Sequence, residues 1–188
     1  MYIIIANITQ LIIYYNGQAY ETDHYPVLYK WYMSNVVTLK TTADENCLYH
    51  AISTSISGNE NLWKDIKLGM IFMFFEYEDY FRKLANAMGL EASFELLIES
   101  SATIAVFGRS FNLLSLSLLF LRPIYIFETS NLSFISDVPC LNTVPIYLSL
   151  NNAHFTSIVP YQNSYFIPFP NASHLKHVKV SLDNLNFY

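Results

Sequence analysis

The chain has 188 residues, 53% of them hydrophobic and only 13% charged, with a formal net charge of -5. That length carries one sizeable core, and the composition excludes a disordered chain. Lys and Arg are scattered rather than clustered, which excludes the basic patch of a nucleic-acid binder; a small negative charge is an ordinary solubility feature.

Two cysteines, Cys47 and Cys140, build no disulfide framework, and neither has a metal-type CxxC neighbour. They point to a reducing interior, either the cytoplasm of the protein's own cell or that of a host into which it is delivered. Cys140, in the polar stretch SDVPCLNT, reads as incidental. The N-terminal MYIIIANITQLIIYY is apolar but has no basic n-region and is interrupted by Asn7, Thr9 and Gln10, so it is not read as a signal peptide. The most apolar stretch, 111–127, is broken by Asn112, Ser115, Ser117, Arg122 and Pro123, so no membrane span is expected.

Residues 2–15 are rich in Ile and Tyr, and Asn16-Gly17 is a hairpin signal. Asp23 and Pro26 open a helical pattern with Val27, Leu28, Trp31 and Tyr32 on one face. Val36-Val37-Thr38-Leu39 is β-branched and predicts an extended segment leading into a polar loop, Asp44-Glu45-Asn46. A helix is expected from Cys47 to about Ser57, stopped by Gly58-Asn59. From Asn61 a long helix follows, with Leu62, Ile66, Met70, Phe74 and Phe75 in register and Ile71 and Met73 adding width; so broad an apolar face predicts burial on most sides. The acidic run 76–79 reads as a solvated helix end. Tyr80–Met88 and a short segment from Phe94 to Ile98 are further helices, and Asn112–Leu121 is another, ended by Arg122-Pro123. Ile124–Phe127 is continuously apolar and fits a central strand, while Ile146–Leu150 and His154–Val159 flank Asn151-Asn152-Ala153 as adjacent antiparallel strands. Residues 165–167 offer one more extended run. With no repeat and no flexible linker, the expectation is one domain over 1–188, of α+β layering.

The chemistry-bearing feature is a thiol at the start of a helix. Unpaired backbone N–H groups and the positive end of the helix dipole favour a thiolate there, and the same groups can hold an oxyanion. A cysteine nucleophile needs a base, which can lie far away in the chain. His154 is the candidate. His50, one turn into the cysteine helix, points away from Cys47 in a regular helix and reads as structural. His24, His174 and His177 have no supporting context.

Three stretches together resemble the ovarian tumour (OTU) family of cysteine proteases, most of which cleave ubiquitin from proteins or chains. Asp44-Glu45-Asn46-Cys47-Leu48-Tyr49-His50-Ala51-Ile52 is similar to the family's nucleophile motif. Phe107-Gly108, the segment from Asn112 and Leu121-Arg122-Pro123-Ile124-Tyr125-Ile126-Phe127 resemble its aromatic-Gly turn, helix and apolar strand. Asn152-Ala153-His154-Phe155-Thr156-Ser157-Ile158-Val159 is similar to its histidine strand. These motifs tie down residues 36–160.

The resemblance implies an α+β fold with a small, mostly antiparallel central sheet flanked by helices. It implies Cys47 as nucleophile, His154 as general base, and an oxyanion loop of Asp44, Glu45 and Asn46 acting with the Cys47 backbone N–H. Phe155 is implied as an aromatic packed over the site. Ubiquitin or ubiquitin-like conjugates are the implied partners, and neither cofactor nor metal is called for. Two positions depart from the family pattern. Glu45 stands where glycine is usual, which would strain the loop if that position needs a positive φ. Thr156 stands where many members carry the Asn or Asp that orients the imidazole; Thr156, Asn152 and the upstream acids Glu21 and Asp23 are the candidates for that role. These departures keep a second reading open, a catalytically impaired OTU-like module that binds ubiquitin. A third is a Cys–His acyl transfer on another amide.

Overall fold

The computed structural model describes residues 36–87, 94–104, 106–108, 110–128, 132–135 and 144–160. The Asn16-Gly17 turn, the helix opening at Asp23 and Pro26, Cys140, the 165–167 run and the tail beyond lie outside the described residues.

Within them, strand β1 (Val36–Leu39) leads through a loop into helix α1 (Cys47–Ser57). Helices α2 (Trp63–Glu76), α3 (Glu78–Ala87), α4 (Phe94–Ala102) and α5 (Ser110–Phe120) follow. Four strands close the order: β2 (Ile124–Phe127), β3 (Leu132–Ile135), β4 (Ile146–Asn151) and β5 (His154–Pro160). They form one five-stranded sheet in the order β1-β5-β4-β2-β3. Every neighbouring pair is antiparallel except β2 with β4. β3 has no counterpart in the periodicity reading; it supplies the outer neighbour of β2.

Local signals explain several boundaries. α1 stops at Gly58, whose φ of 78° is the left-handed cap that glycine adopts at no steric cost, its N–H donating to the Thr54 carbonyl at 3.0 Å. α5 ends at Leu121 with φ 49°; the Arg122 N–H reaches back to the Ser117 carbonyl at 3.1 Å, and Pro123 forbids continuation. The β4–β5 hairpin turns through Asn152 (φ 48°) and Ala153 (φ 64°), the two positive-φ residues of a tight turn matched to strand twist.

One face of the sheet meets the helical layer. Ile124, Ile126, Ile146, Leu148 and Phe155 from the strands join Leu48, Ile52, Met70, Phe74, Phe81 and Leu116 in a single buried cluster. Phe74 and Phe81 meet edge to face with ring centroids 4.7 Å apart. The alternate strand positions carry Tyr125 and Tyr147, stacked at 5.5 Å, and Phe127 beside Tyr147. The expectation for α2 needs correction. Ile66, Met70 and Phe74 are buried, but Leu62, Phe72 and Phe75 are exposed, Phe72 by 62%. The helix packs against the other four described helices along one stripe, and the rest of its apolar surface faces outward.

Candidate active site

The sheet register carries Cys47 to His154. β1 and β5 pair from Val36↔Pro160 to Leu39↔Ser157, so the chain leaving β1 runs beside the start of β5. Thr41 and the 44–46 loop follow at once, and α1 then packs along β5 and β4. Two segments separated by about a hundred residues therefore meet at the head of a helix.

Cys47 is the first residue of α1 and is buried. Its sulfur accepts the Phe155 backbone N–H at 3.4 Å, and the thiol lies 4.0 Å from the Ala153 carbonyl oxygen. The two backbone groups on either side of His154 thus bracket the sulfur. Phe155 contributes more than its ring: its side chain enters the core, its N–H holds the sulfur, and its carbonyl accepts the Thr41 hydroxyl at 2.6 Å.

Burial pushes the Cys47 thiol above its ordinary range. The Phe155, Leu48 and Cys47 backbone N–H groups pull it down, and the Asp44 carboxylate pushes it up. Burial wins over the helix terminus, so the resting group is a thiol, contrary to the thiolate that its position at a helix start suggests. Attack on a carbonyl therefore needs a base to remove the proton.

The 44–46 loop is a tight turn tied from both sides. The Cys47 N–H, expected in an oxyanion hole, donates to the Asp44 carbonyl at 3.1 Å. The Asp44 carboxylate accepts the Asn46 backbone N–H at 2.8 Å and its side-chain amide at 3.3 Å. Glu45 does not take a positive φ, so the strain expected of a residue replacing glycine is absent. Asn46, buried at the N-cap, makes no side-chain cap bond to α1. Its carbonyl instead accepts the N–H groups of Tyr49 and His50.

Lys67 holds this loop from below and was invisible to periodicity reading. Only 5% exposed, it donates to Asn46 Oδ1 at 3.0 Å and to the Thr103 carbonyl at 2.8 Å, and lies over the Tyr49 ring. Burial lowers its pKa while Asp44 opposes the shift. The available signal was a cation on the apolar stripe, in helical spacing with Met70 and Phe74.

His50 meets Trp63 and two acids. Its ring packs on Trp63 at 5.0 Å, with Nε2 3.4 Å from Asp44 Oδ2 and Nδ1 3.1 Å from Glu60 Oε2. Glu60 also accepts the Thr42 backbone N–H at 2.7 Å, so these acids brace the approach to Cys47.

At His154, the expected imidazole orienters are elsewhere. Thr156 Oγ1 is buried with no hydrogen-bond partner among the described residues, and Asn152 is exposed in the turn. Glu21 and Asp23 lie outside the described residues. The group beside the ring is Thr41, whose Oγ1 is 3.3 Å from Nε2. No single-position pattern marks Thr41; only the β1–β5 pairing brings it there. No group of His, Cys, Asp and Glu fit for a metal occurs among the described residues, and none of their helices is long and apolar enough to cross a membrane.

Compared as a sequence, the chain matches no family model and no curated protein. Compared as a structure, it matches the OTU domain of human OTUD1 with a TM-score of 0.57 at 20% identity, over 66% of this chain and 85% of that one. The viral OTU protease of Dera Ghazi Khan virus matches with 0.57 at 16% identity, over 68% and 83%. The Hazara virus OTU bound to ubiquitin matches with 0.55 at 15% identity, over 69% and 84%. The chain carries an OTU-like fold. In this OTU-like domain the thiol, the histidine strand and the intervening loop share one end of the sheet, where α1 begins.

Proposed function

We propose that the chain is a thiol-dependent hydrolase that cuts the isopeptide bond at the C-terminus of ubiquitin or a ubiquitin-like modifier. The observation that carries this reading is the Cys47 sulfur bracketed by the backbone groups flanking His154 in an OTU-like fold. Structural neighbours bound to ubiquitin supply the substrate class. In the reaction His154 takes the Cys47 proton as the sulfur adds to the carbonyl carbon of the modifier's terminal glycine. The tetrahedral oxyanion is met by N–H groups at the head of α1; a donor of this kind is worth about 3 kcal/mol. Here the Cys47 N–H must exchange its bond to the Asp44 carbonyl for one to the oxyanion. The imidazolium protonates the leaving lysine amine, the C–N bond breaks, and a thioester remains. Water, deprotonated by the same ring, then releases the carboxylate and regenerates the thiol. No cofactor or metal enters these steps.

Ubiquitin carrying a C-terminal electrophile tests the reading. A covalent adduct is expected with the wild type and is lost in Cys47→Ala; no adduct at micromolar concentrations of folded protein refutes it. The raised thiol pKa and the absence of a carboxylate at the described His154 ring contacts favour one alternative, a ubiquitin-binding module impaired in catalysis. That alternative predicts measurable ubiquitin binding with neither adduct nor hydrolysis.

A further inference from the structure

We propose that Thr41 is the positioning residue of the site, fixing His154 as the tautomer with hydrogen on Nε2 and leaving Nδ1 as the base. The proposal rests on the hydrolase reading for its catalytic consequence, and on hydrogen-bond geometry for the tautomer.

Thr41 is buried, and its single hydroxyl lies between two groups. Oγ1 is 2.6 Å from the Phe155 carbonyl oxygen and 3.3 Å from His154 Nε2. A hydroxyl has one proton, and a carbonyl oxygen can only accept. The proton therefore goes to the Phe155 carbonyl, and a lone pair of Oγ1 faces Nε2. Two facing lone pairs repel, so Nε2 carries hydrogen and donates to Oγ1, a bond at the long end of the usual range. A neutral imidazole has one N–H, which leaves the free pair on Nδ1.

The arrangement is built in by the sheet. Thr41 lies two residues beyond the last β1–β5 pair, Leu39↔Ser157, where the antiparallel register continues toward Phe155 and His154. The anchor of the hydroxyl is the main chain of the residue after the histidine, so ring and orienter move together. When Nδ1 takes the Cys47 proton, the Nε2 bond to Thr41 is undisturbed. The hydroxyl adds no negative charge, so it selects the tautomer while stabilising the imidazolium less than a carboxylate would. A carboxylate two residues beyond the histidine is then unnecessary for orientation, and Thr156 is free to be a buried strand residue.

Three Thr41 variants and a spectrum test this. Thr41→Val keeps the shape and removes the hydroxyl; Thr41→Ser keeps the hydroxyl; Thr41→Ala removes both. On a fluorogenic ubiquitin C-terminal amide, T41V and T41A are expected to lose about 10- to 100-fold in kcat with KM unchanged, and T41S to recover to within a few-fold of wild type. Circular dichroism of each variant establishes that it is folded. Nitrogen-15 spectra of wild-type protein with labelled histidine are expected to show, for the neutral His154 ring, hydrogen on Nε2 and none on Nδ1, and T41V a mixture. Folded T41V with wild-type kcat, or a wild-type His154 with hydrogen on Nδ1, overturns the inference. A wild type that neither hydrolyses ubiquitin nor forms the adduct defeats the hydrolase reading, and the nitrogen spectrum still decides the tautomer.

Discussion

Gly108 abuts Leu48, the residue after Cys47, and its replacement by alanine has a calculable cost. A β-carbon at 108 would lie 2.2 Å from Leu48 Cδ2, 3.2 Å from its Cγ and 3.1 Å from its Cβ. Carbon atoms rest at about 3.5–4.0 Å. Rotating the Leu48 side chain relieves the first contact but not the last, because Cβ is placed by the backbone of α1. Leu48 is fully buried, so its branch has no solvent to enter. Overpacking of this kind costs about 1–3 kcal/mol, and the rigid Cβ contact puts Gly108→Ala at the upper end. For a chain of this size that lowers Tm by about 6–12 °C, at roughly 2–4 °C per kcal/mol. The first turn of α1 must shift, so iodoacetamide should modify Cys47 at a changed rate. Urea denaturation of G108A, Leu48→Ala and the double variant isolates the cause. L48A alone costs about 3 kcal/mol through its cavity, but it removes the Cδ2 and Cγ contacts of the new methyl and leaves only the one to Cβ. The double variant should be more stable than the sum of the singles by about 1–3 kcal/mol. Additivity to within about 0.5 kcal/mol, or a wild-type Tm for G108A, would show that the close approach is not what glycine serves here.

Further outcomes follow from the loop and the hairpin. Because burial and Asp44 both raise the Cys47 thiol, its alkylation rate should climb with pH with a midpoint above that of a free cysteine thiol, and Asp44→Asn should move the midpoint down. The sign for stability agrees: the unfolded thiol ionises first, so that contribution is lost as pH rises from the unfolded pKa towards the folded one, and Cys47→Ala should flatten the alkaline decline in urea stability. Lys67→Met keeps the length and removes two hydrogen bonds, stranding Asn46 Oδ1 and the Thr103 carbonyl; it should cost about 1–3 kcal/mol in urea denaturation, and an unchanged midpoint would refute the anchoring role. Ala153→Gly relieves a β-carbon at φ 64° and should stabilise by about 0.5 kcal/mol after the entropy glycine adds to the unfolded chain; a fall in Tm would contradict the strain.

Much of the architecture was legible because it rests on short-range chemistry. The stop of α1 at Gly58, the helix stop before Pro123 and the hairpin around Asn152-Ala153 each follow from what a cap, a ring or a positive φ demands of nearby residues. The buried run 124–127 was likewise apparent, since a strand covered on both faces cannot alternate. The exposure of Phe72 and Phe75 was not, because an apolar periodicity states what a helix could bury and only its neighbours decide how much it does.

At the site the division is the same. The sequence by itself determined which groups are present, a thiol at a helix start and an imidazole at a strand start, because their identities are carried by local motifs. Tertiary structure decided what those groups do to one another. Pairing of β1 with β5 set the Thr41 hydroxyl against His154, packing of α1 on β5 pressed Phe155 onto the sulfur, and the resulting burial turned an expected thiolate into a thiol. Desolvation and hydrogen-bond direction depend on atoms distant along the chain, and those atoms acquire a position only when the sheet closes.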